Sequence, residues 1–239
     1  MIIRELQKSI LLFQFFLKHQ VWNYRFCKIH ILNYLKTNTM KKLLLVLMFV
    51  PLVSFGQNAQ EYSDSGFEKF ELEDYKGALE DFTKALELEP RNVSSYVNRG
   101  MSKSKLNDYN GALTDYNKAI EIKPDYGDAY FNRGVLLNEI MKDYKGAISD
   151  FTRAIELSPK DGQAYVNRGI AKFNLKDFNG TISDCTKAIE INTFNSLAYL
   201  NRGLAKYYLK DINGACLDVE ISVRYGIPDV QNFIGQICN

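Results

Sequence analysis

The sequence predicts an all-α protein, a solenoid of five stacked helical hairpins closed by a C-terminal capping helix. Three observations predict it. Tyr96-Val97-Asn98-Arg99-Gly100 returns as Tyr130-Phe131-Asn132-Arg133-Gly134, Tyr165-Val166-Asn167-Arg168-Gly169 and Tyr199-Leu200-Asn201-Arg202-Gly203, with glycine spacings of 34, 35 and 34. Each string is followed by a second block: Asp108-Tyr109-Asn110-Gly111-Ala112 and its copies at Asp143, Asp177 and Asp211. Lys118-Ala119-Ile120-Glu121 and its copies then close each unit, often with a proline. A period of this length marks units that bury their apolar stripes only by stacking on one another.

The first elements in the chain do not belong to that pattern. The 239 residues carry 30 Lys plus Arg against 28 Asp plus Glu, a net charge of +2. That average hides two unlike parts. Met1–Gly56 holds eight basic residues and one acid, net +7, whereas Gln57–Asn239 holds 22 basic and 27 acidic residues, net −5. Neither the total nor the acidic part suits nucleic acid held by bulk charge. Residues 1–39 lack Gly, Pro, Ala and Asp and show no regular period, which resembles translated upstream sequence. They are expected to be unstructured, with synthesis starting at Met40; the alternative is a genuine extension with a membrane-surface role through Ile10–Leu17. Residues 40–56 have the layout of a secretory signal peptide: Lys41-Lys42, an apolar run from Leu43 to Val53, then Ser54-Phe55-Gly56. The run is short of the ~20 residues that span a bilayer and Pro51 interrupts it, so no membrane span is expected in the mature chain. The expected location is periplasmic or secreted, with cleavage near Gly56–Gln57.

The repeats follow as 59–92, 93–126, 127–161, 162–195 and 196–229. Each reads as two amphipathic helices joined by a short turn. Asp74, Asp108, Asp143, Asp177 and Asp211 are placed to cap the second helix by accepting from its free N–H groups. Pro90, Pro124 and Pro159 stop that helix before the next unit. Gly66, Gly100, Gly134, Gly169 and Gly203, with Ala78, Ala112, Ala147, Ala215 and Ala85, Ala119, Ala154, Ala188, let facing helices approach closely. The 34-residue length, the glycine and alanine places and the closing proline closely resemble the tetratricopeptide repeat, over about residues 59–229. Departures from its pattern are Thr181, Thr193, Ser222 and an extra residue between Gly134 and Tyr144. The resemblance implies a right-handed α-solenoid whose concave face is built mainly from first helices. Val230, Phe233, Ile234 and Ile237 fall on one helical stripe, so 230–239 is expected to cap the open end.

The repeat region is poor in reactive groups. It contains no histidine, which removes Ser/His/Asp and Cys/His catalysis and the commonest zinc ligand. Gly111, Gly146, Gly180 and Gly214 recur with the repeat and are not followed by the Lys-Ser/Thr of a phosphate loop. Asp108-Tyr109-Asn110-Gly111 lacks a closing Glu in calcium-loop register. No enzyme activity, cofactor or metal is expected. Cys185 stands where other units have Phe82, Tyr116 and Phe151, and reads as an apolar filler. Cys216 and Cys238 are either a disulfide that pins the cap or two free thiols.

The functional candidates lie on the first helices. Asn98, Asn132, Asn167 and Asn201 occupy one place per unit and would line one side of the stack, each amide offering a donor and an acceptor to an extended peptide backbone. This resembles the asparagine ladder of some superhelical tetratricopeptide proteins. Val97, Phe131, Val166 and Leu200, with Phe173 and Tyr207, are expected to give an apolar floor. Arg99, Arg133, Arg168 and Arg202 are expected to be structural, pairing with Asp81, Asp115, Asp150 and Asp184 of adjacent second helices. The carboxylate clamp of some chaperone-binding relatives is not expected, because Lys103, Lys172 and Lys206 sit elsewhere. The expected function is a non-catalytic scaffold holding a protein segment or peptide in the concave groove. The alternatives are an envelope assembly subunit using convex or end surfaces, and a glycan-binding module, for which Tyr207-Tyr208 is the only aromatic cue.

Overall fold

The computed structural model describes residues 58–227 and Cys238; the expected leader at 1–56 and, Cys238 apart, the expected cap at 230–239 lie outside the described residues. Among the described residues there are ten α-helices and no strand. The first helices of the five hairpins are α1 (Ala59–Glu71), α3 (Val93–Lys105), α5 (Gly127–Leu136), α7 (Gly162–Asn174) and α9 (Ser196–Tyr208). The second helices are α2 (Tyr75–Leu88), α4 (Tyr109–Ile122), α6 (Tyr144–Leu157), α8 (Phe178–Ile191) and α10 (Ile212–Arg224).

Local chemistry sets where each helix starts. Asp74, Asp108, Asp143, Asp177 and Asp211 accept from the N–H of Gly77, Gly111, Gly146, Gly180 and Gly214 at 2.9–3.0 Å. A side chain on any of those glycines would collide with the capping carboxylate. The Asp-x-x-Gly blocks are therefore helix caps. Asn58, Asn92, Asp161 and Asn195 cap four of the first helices in the same way. The turn between the helices of a hairpin bends through one left-handed residue: Glu73, Asn107, Lys142, Lys176 or Lys210.

The departures from the repeat pattern are absorbed locally. Thr181 is buried and donates to the carbonyls of Gly169 and Asp177, and Ser222 donates to that of Val219. Where Thr193 replaces the closing proline, Asn192 folds the turn by accepting from Phe194 N–H at 3.0 Å. The extra residue of the third unit becomes a π-turn, Leu137–Met141, that prolongs α5. The closing bond of that hairpin shows the insertion: Asp143 N–H reaches Leu137, six residues back, whereas its counterparts such as Asp108 reach five.

Stacking supplies the core. Each first helix lies along its own second helix, and that second helix lies against the first helix of the next unit. First helices also meet one another, α1 with α3, α3 with α5 and α7 with α9, while no comparable contact joins successive second helices. Inside each of the first three hairpins a ring sits under the recurrent glycine of its partner helix: Phe82 under Gly66, Tyr116 under Gly100 and Phe151 under Gly134. In the last two units the buried group shrinks to Cys185 and Val219. Among the described residues no helix is long and apolar enough to cross a membrane.

Candidate functional site

The inner face follows from helix geometry and burial. On a 3.6-residue helix, residues at i, i+4, i+7 and i+11 share one side. Counting from Ser94 on α3, that side carries Ser94, Asn98, Met101 and Lys105; on α9 it carries Leu197, Asn201, Leu204 and Tyr208. In every first helix the outer two of these four are exposed, and from α3 onward the middle two are half-buried. The four rows therefore make a trough, walled by the first and last positions and floored by the second and third.

The asparagine row lies on that floor. Asn132, Asn167 and Asn201 each donate one amide N–H to the carbonyl four residues back, Asp128, Gln163 and Leu197, at 2.8–2.9 Å. These bonds fix the side chains against their own helices and turn the carbonyl oxygen outward as an acceptor. Asn98 occupies the same place on α3.

The expected apolar floor is corrected. Val97 and Val166 are only 3% and 1% exposed; Val97 packs with Ala112, Tyr116 and Ala129, and Val166 with Cys185 and Ala188. Phe131 lies edge-on to Phe151, with ring centroids 5.8 Å apart, and Leu200 is half-buried. These residues precede the asparagines in sequence, and one residue along a helix is a 100° rotation, so they turn away from the row. The apolar row that shares the asparagine face lies three residues further on: Met101, Val135, Ile170 and Leu204.

The expected pairing of the arginines is corrected as well. Arg99, Arg133, Arg168 and Arg202 form two-bond pairs with Asp115, Asp150, Asp184 and Asp218 at 2.7–2.9 Å, each within its own hairpin. Folding the hairpin brings residues 16 or 17 apart face to face, which a period of 34 or 35 alone cannot distinguish from the neighbouring unit. Three of the four also give the preceding unit a bond to a neutral group: Arg133 to Asn117, Arg168 to Thr152 and Arg202 to Thr186. Lys103, Lys172 and Lys206 close on the same carboxylates at 2.7–2.8 Å. The third unit has Leu137 at that place, so Asp150 holds a single cation. These hydrogen bonds, the leading cause, raise the Arg99, Arg133 and Arg202 guanidiniums above their ordinary range against the opposing cost of burial. The arginines are structural.

The first unit replaces Arg with Ser65. Burial alone would raise the Asp81 carboxyl, but hydrogen bonds from Lys69 and Ser65 outweigh it and hold the group below its ordinary value of 3.8. Its contribution to stability is therefore complete above that value and is lost as pH falls through the depressed one.

At the C-terminal ends of α7 and α9 lies a feature that sequence reasoning missed. Tyr208 stacks on Phe178 with centroids 4.9 Å apart and planes 7° apart, and Phe173 meets both rings edge-on at 5.4 and 5.5 Å. Tyr207 stands edge-on to Tyr208, so the tyrosine pair offers no single flat surface. Phe173 and Tyr207 thus belong to this cluster at the end of the trough. The signal lay in three different registers of two units, which alignment on the repeat separates.

Cys216 and Cys238 are joined, Sγ to Sγ at 2.01 Å across 22 residues of chain. With Glu220 they bring three potential ligand atoms within 4.8 Å, but a bond between the sulfurs takes both thiolates out of use. Cys185 is buried, and burial pushes its thiol up to about 12, which leaves it unreactive near neutrality.

A family profile described as "TPR repeat" matches residues 103–139, and one described as "Tetratricopeptide repeat" matches 62–92 and 127–161. Residues 62–92 and 103–161 thus match tetratricopeptide-repeat models. Solved structures share the fold. MamA (41–end) from Desulfovibrio magneticus RS-1 is 19% identical over 71% of this chain and 96% of its own, with a TM-score of 0.64. YrrB, described as a TPR protein with an unusual peptide-binding site, is 20% identical over 75% of this chain and 90% of its own, TM-score 0.61. Yeast Tom70 is 21% identical over 76% of this chain and 40% of its own, TM-score 0.64. No curated protein matches the chain.

Proposed function

We propose that this chain is a non-catalytic scaffold that binds an extended segment of a protein partner along the trough of its first helices. The observation that carries the reading is the asparagine row: amides on successive TPR units, each braced by its own helix, each with a carbonyl turned outward. Such a row accepts from backbone N–H groups of an extended peptide whatever its side chains. The TPR fold supports it, as does the peptide-binding site named for YrrB. Among the described residues the buried acids Asp81, Asp115, Asp150, Asp184 and Asp218 are each held by Arg or Lys, as the frame of a scaffold requires.

The test is capture of phage-displayed random peptides by the immobilised full-length protein. Enriched peptides should bind Asn132→Ala/Asn167→Ala about 10- to 100-fold more weakly, the loss of two hydrogen bonds. Undiminished capture would move the interaction to the convex or end surfaces, as in an envelope assembly subunit. Export through the leader at 40–56 is proposed on sequence alone. A mature N-terminus near Gln57, read by mass spectrometry, supports it, and peptides from 1–39 in the native protein overturn the start at Met40.

A further inference from the structure

The fifth unit departs from the others at the places they use to hold the next unit. Leu79, Leu113, Ile148 and Ile182 share one place on the second helices, and Cys216 takes it on α10. Leu113 and Ile148 pack into the clusters that join their units to the next. Four residues further on, Asn117, Thr152 and Thr186 accept from the arginine of the following unit, and Glu220 stands at their place. Residues four apart lie side by side on a helix, and Glu220 Oε1 is 3.7 Å from Cys216 Sγ. With Cys238 the three ligand atoms lie within 4.8 Å of one another. Glu220 is exposed, and among the described residues no basic side chain comes within ion-pair distance of it.

We infer that reduction of the Cys216–Cys238 disulfide turns this place into a Zn²⁺ site, with both thiolates and a Glu220 carboxylate oxygen as ligands and water in the fourth position. The site is independent of peptide binding in the trough. Its first step is a two-electron exchange with a small dithiol, which breaks the sulfur–sulfur bond, gives two protons to the thiols and leaves as its own cyclic disulfide. Zn²⁺ then displaces those two protons to water. A tetrahedral ion with Zn–S of ~2.3 Å and Zn–O of ~2.0 Å sets a thiolate ~3.5 Å from a carboxylate oxygen and two thiolates ~3.8 Å apart. The 3.7 Å between Cys216 and Glu220 already meets the first spacing. The Cα atoms of the two cysteines are 5.5 Å apart, so rotation of the side chains meets the second. A pair of thiolates selects Zn²⁺ over Mg²⁺ and Ca²⁺, which take oxygen ligands. Cys185, buried inside the fourth unit, takes no part. In either redox state Cys238 is tied to α10, by a covalent bond or through a metal ion.

The probe is Co²⁺, whose spectrum reports tetrahedral thiolate ligation, followed by its displacement with Zn²⁺. The full-length protein is reduced with a dithiol, freed of it without air and titrated beside the oxidised protein. The reduced protein should take up one equivalent of Co²⁺, with a sulfur-to-cobalt charge-transfer band and intense visible bands that Zn²⁺ abolishes. The oxidised protein should show neither. Reduced Cys238→Ser should lose these bands although it keeps Cys27, His19 and His30, which separates the site from the leader. Glu220→Gln, a change at an exposed place, should keep the charge-transfer band and weaken Zn²⁺ by at least about tenfold, the low end of what even an outer-shell contact contributes. Equal uptake by the reduced and oxidised proteins, unchanged bands in Cys238→Ser, or full Zn²⁺ affinity in Glu220→Gln would each overturn the inference. None of these outcomes touches the peptide-scaffold reading, which the display experiment decides.

Discussion

The first three repeats fill the hairpin interior with a ring and the last two do not. An edge-on ring pair at the end of the first helix occurs in both regions, Phe70 with Tyr75 and Phe173 with Phe178. In the first three, a ring fills each hairpin: Phe82, Tyr116 and Phe151 are buried beneath glycines. In the last two, the interior holds only Cys185 and Val219, while Phe173, Phe178, Tyr207 and Tyr208 gather where the first helices end. The backbone is the same in both regions, because Gly and Ala at fixed places set helix separation and the Asp caps set helix starts. The difference shows that the repeat specifies an architecture, and that volume in the interior and polarity on the inner face vary independently of it.

The largest way to sharpen that comparison is through the buried acids. Asp184 holds both Arg168 and Lys172, whereas Asp150 holds Arg133 alone. Asp184→Ala should cost about 3–5 kcal/mol, the range for leaving buried charge unpaired, and Asp150→Ala should fall at its low end. Urea unfolding resolved by hydrogen exchange reads both; equal losses would remove the distinction between three-membered and two-membered clusters. A smaller effect separates the glycines. A methyl on Gly100 would stand 2.6 Å from the Tyr116 ring, whereas one on Gly169 would stand 3.2 Å from the Cys185 sulfur. Gly100→Ala should cost about 1–3 kcal/mol by overpacking. Gly169→Ala should change stability by less than ~0.5 kcal/mol, since the gain in helix propensity of ~1 kcal/mol offsets the tight contact. Comparable destabilisation at the two sites would mean that the interiors are packed alike.

Much of the fold was legible because five copies of one unit reinforce one another. The caps at Asp74 to Asp211, the hairpins and the order of helices follow from positions that repeat. The asparagine row was legible for the same reason. The floor beside it was not, because Val97 and Val166 are neighbours of the asparagines in the chain and not on the helix surface. The partners of the arginines were displaced by one unit, since periodic donors and periodic acceptors match equally well at either offset. Only hairpin closure decides between them. The aromatic cluster was illegible because Phe173, Phe178 and Tyr208 hold different places in the repeat and meet through the stacking of α9 on α7 and α8. The extra residue of the third unit was visible, but its π-turn was not, because a single insertion can equally lengthen a loop.

The bonds from Arg133, Arg168 and Arg202 to Asn117, Thr152 and Thr186 carry a direction of their own. At each of these three seams the acceptor belongs to the earlier unit and the charged donor to the later one. A chain delivered from its N-terminus, as in synthesis, presents every acceptor before the group that needs it. Each newly emerged hairpin then finds the acceptor for its arginine already made, so these seam bonds can close in the order of synthesis even though the apolar stripes wait for the next unit.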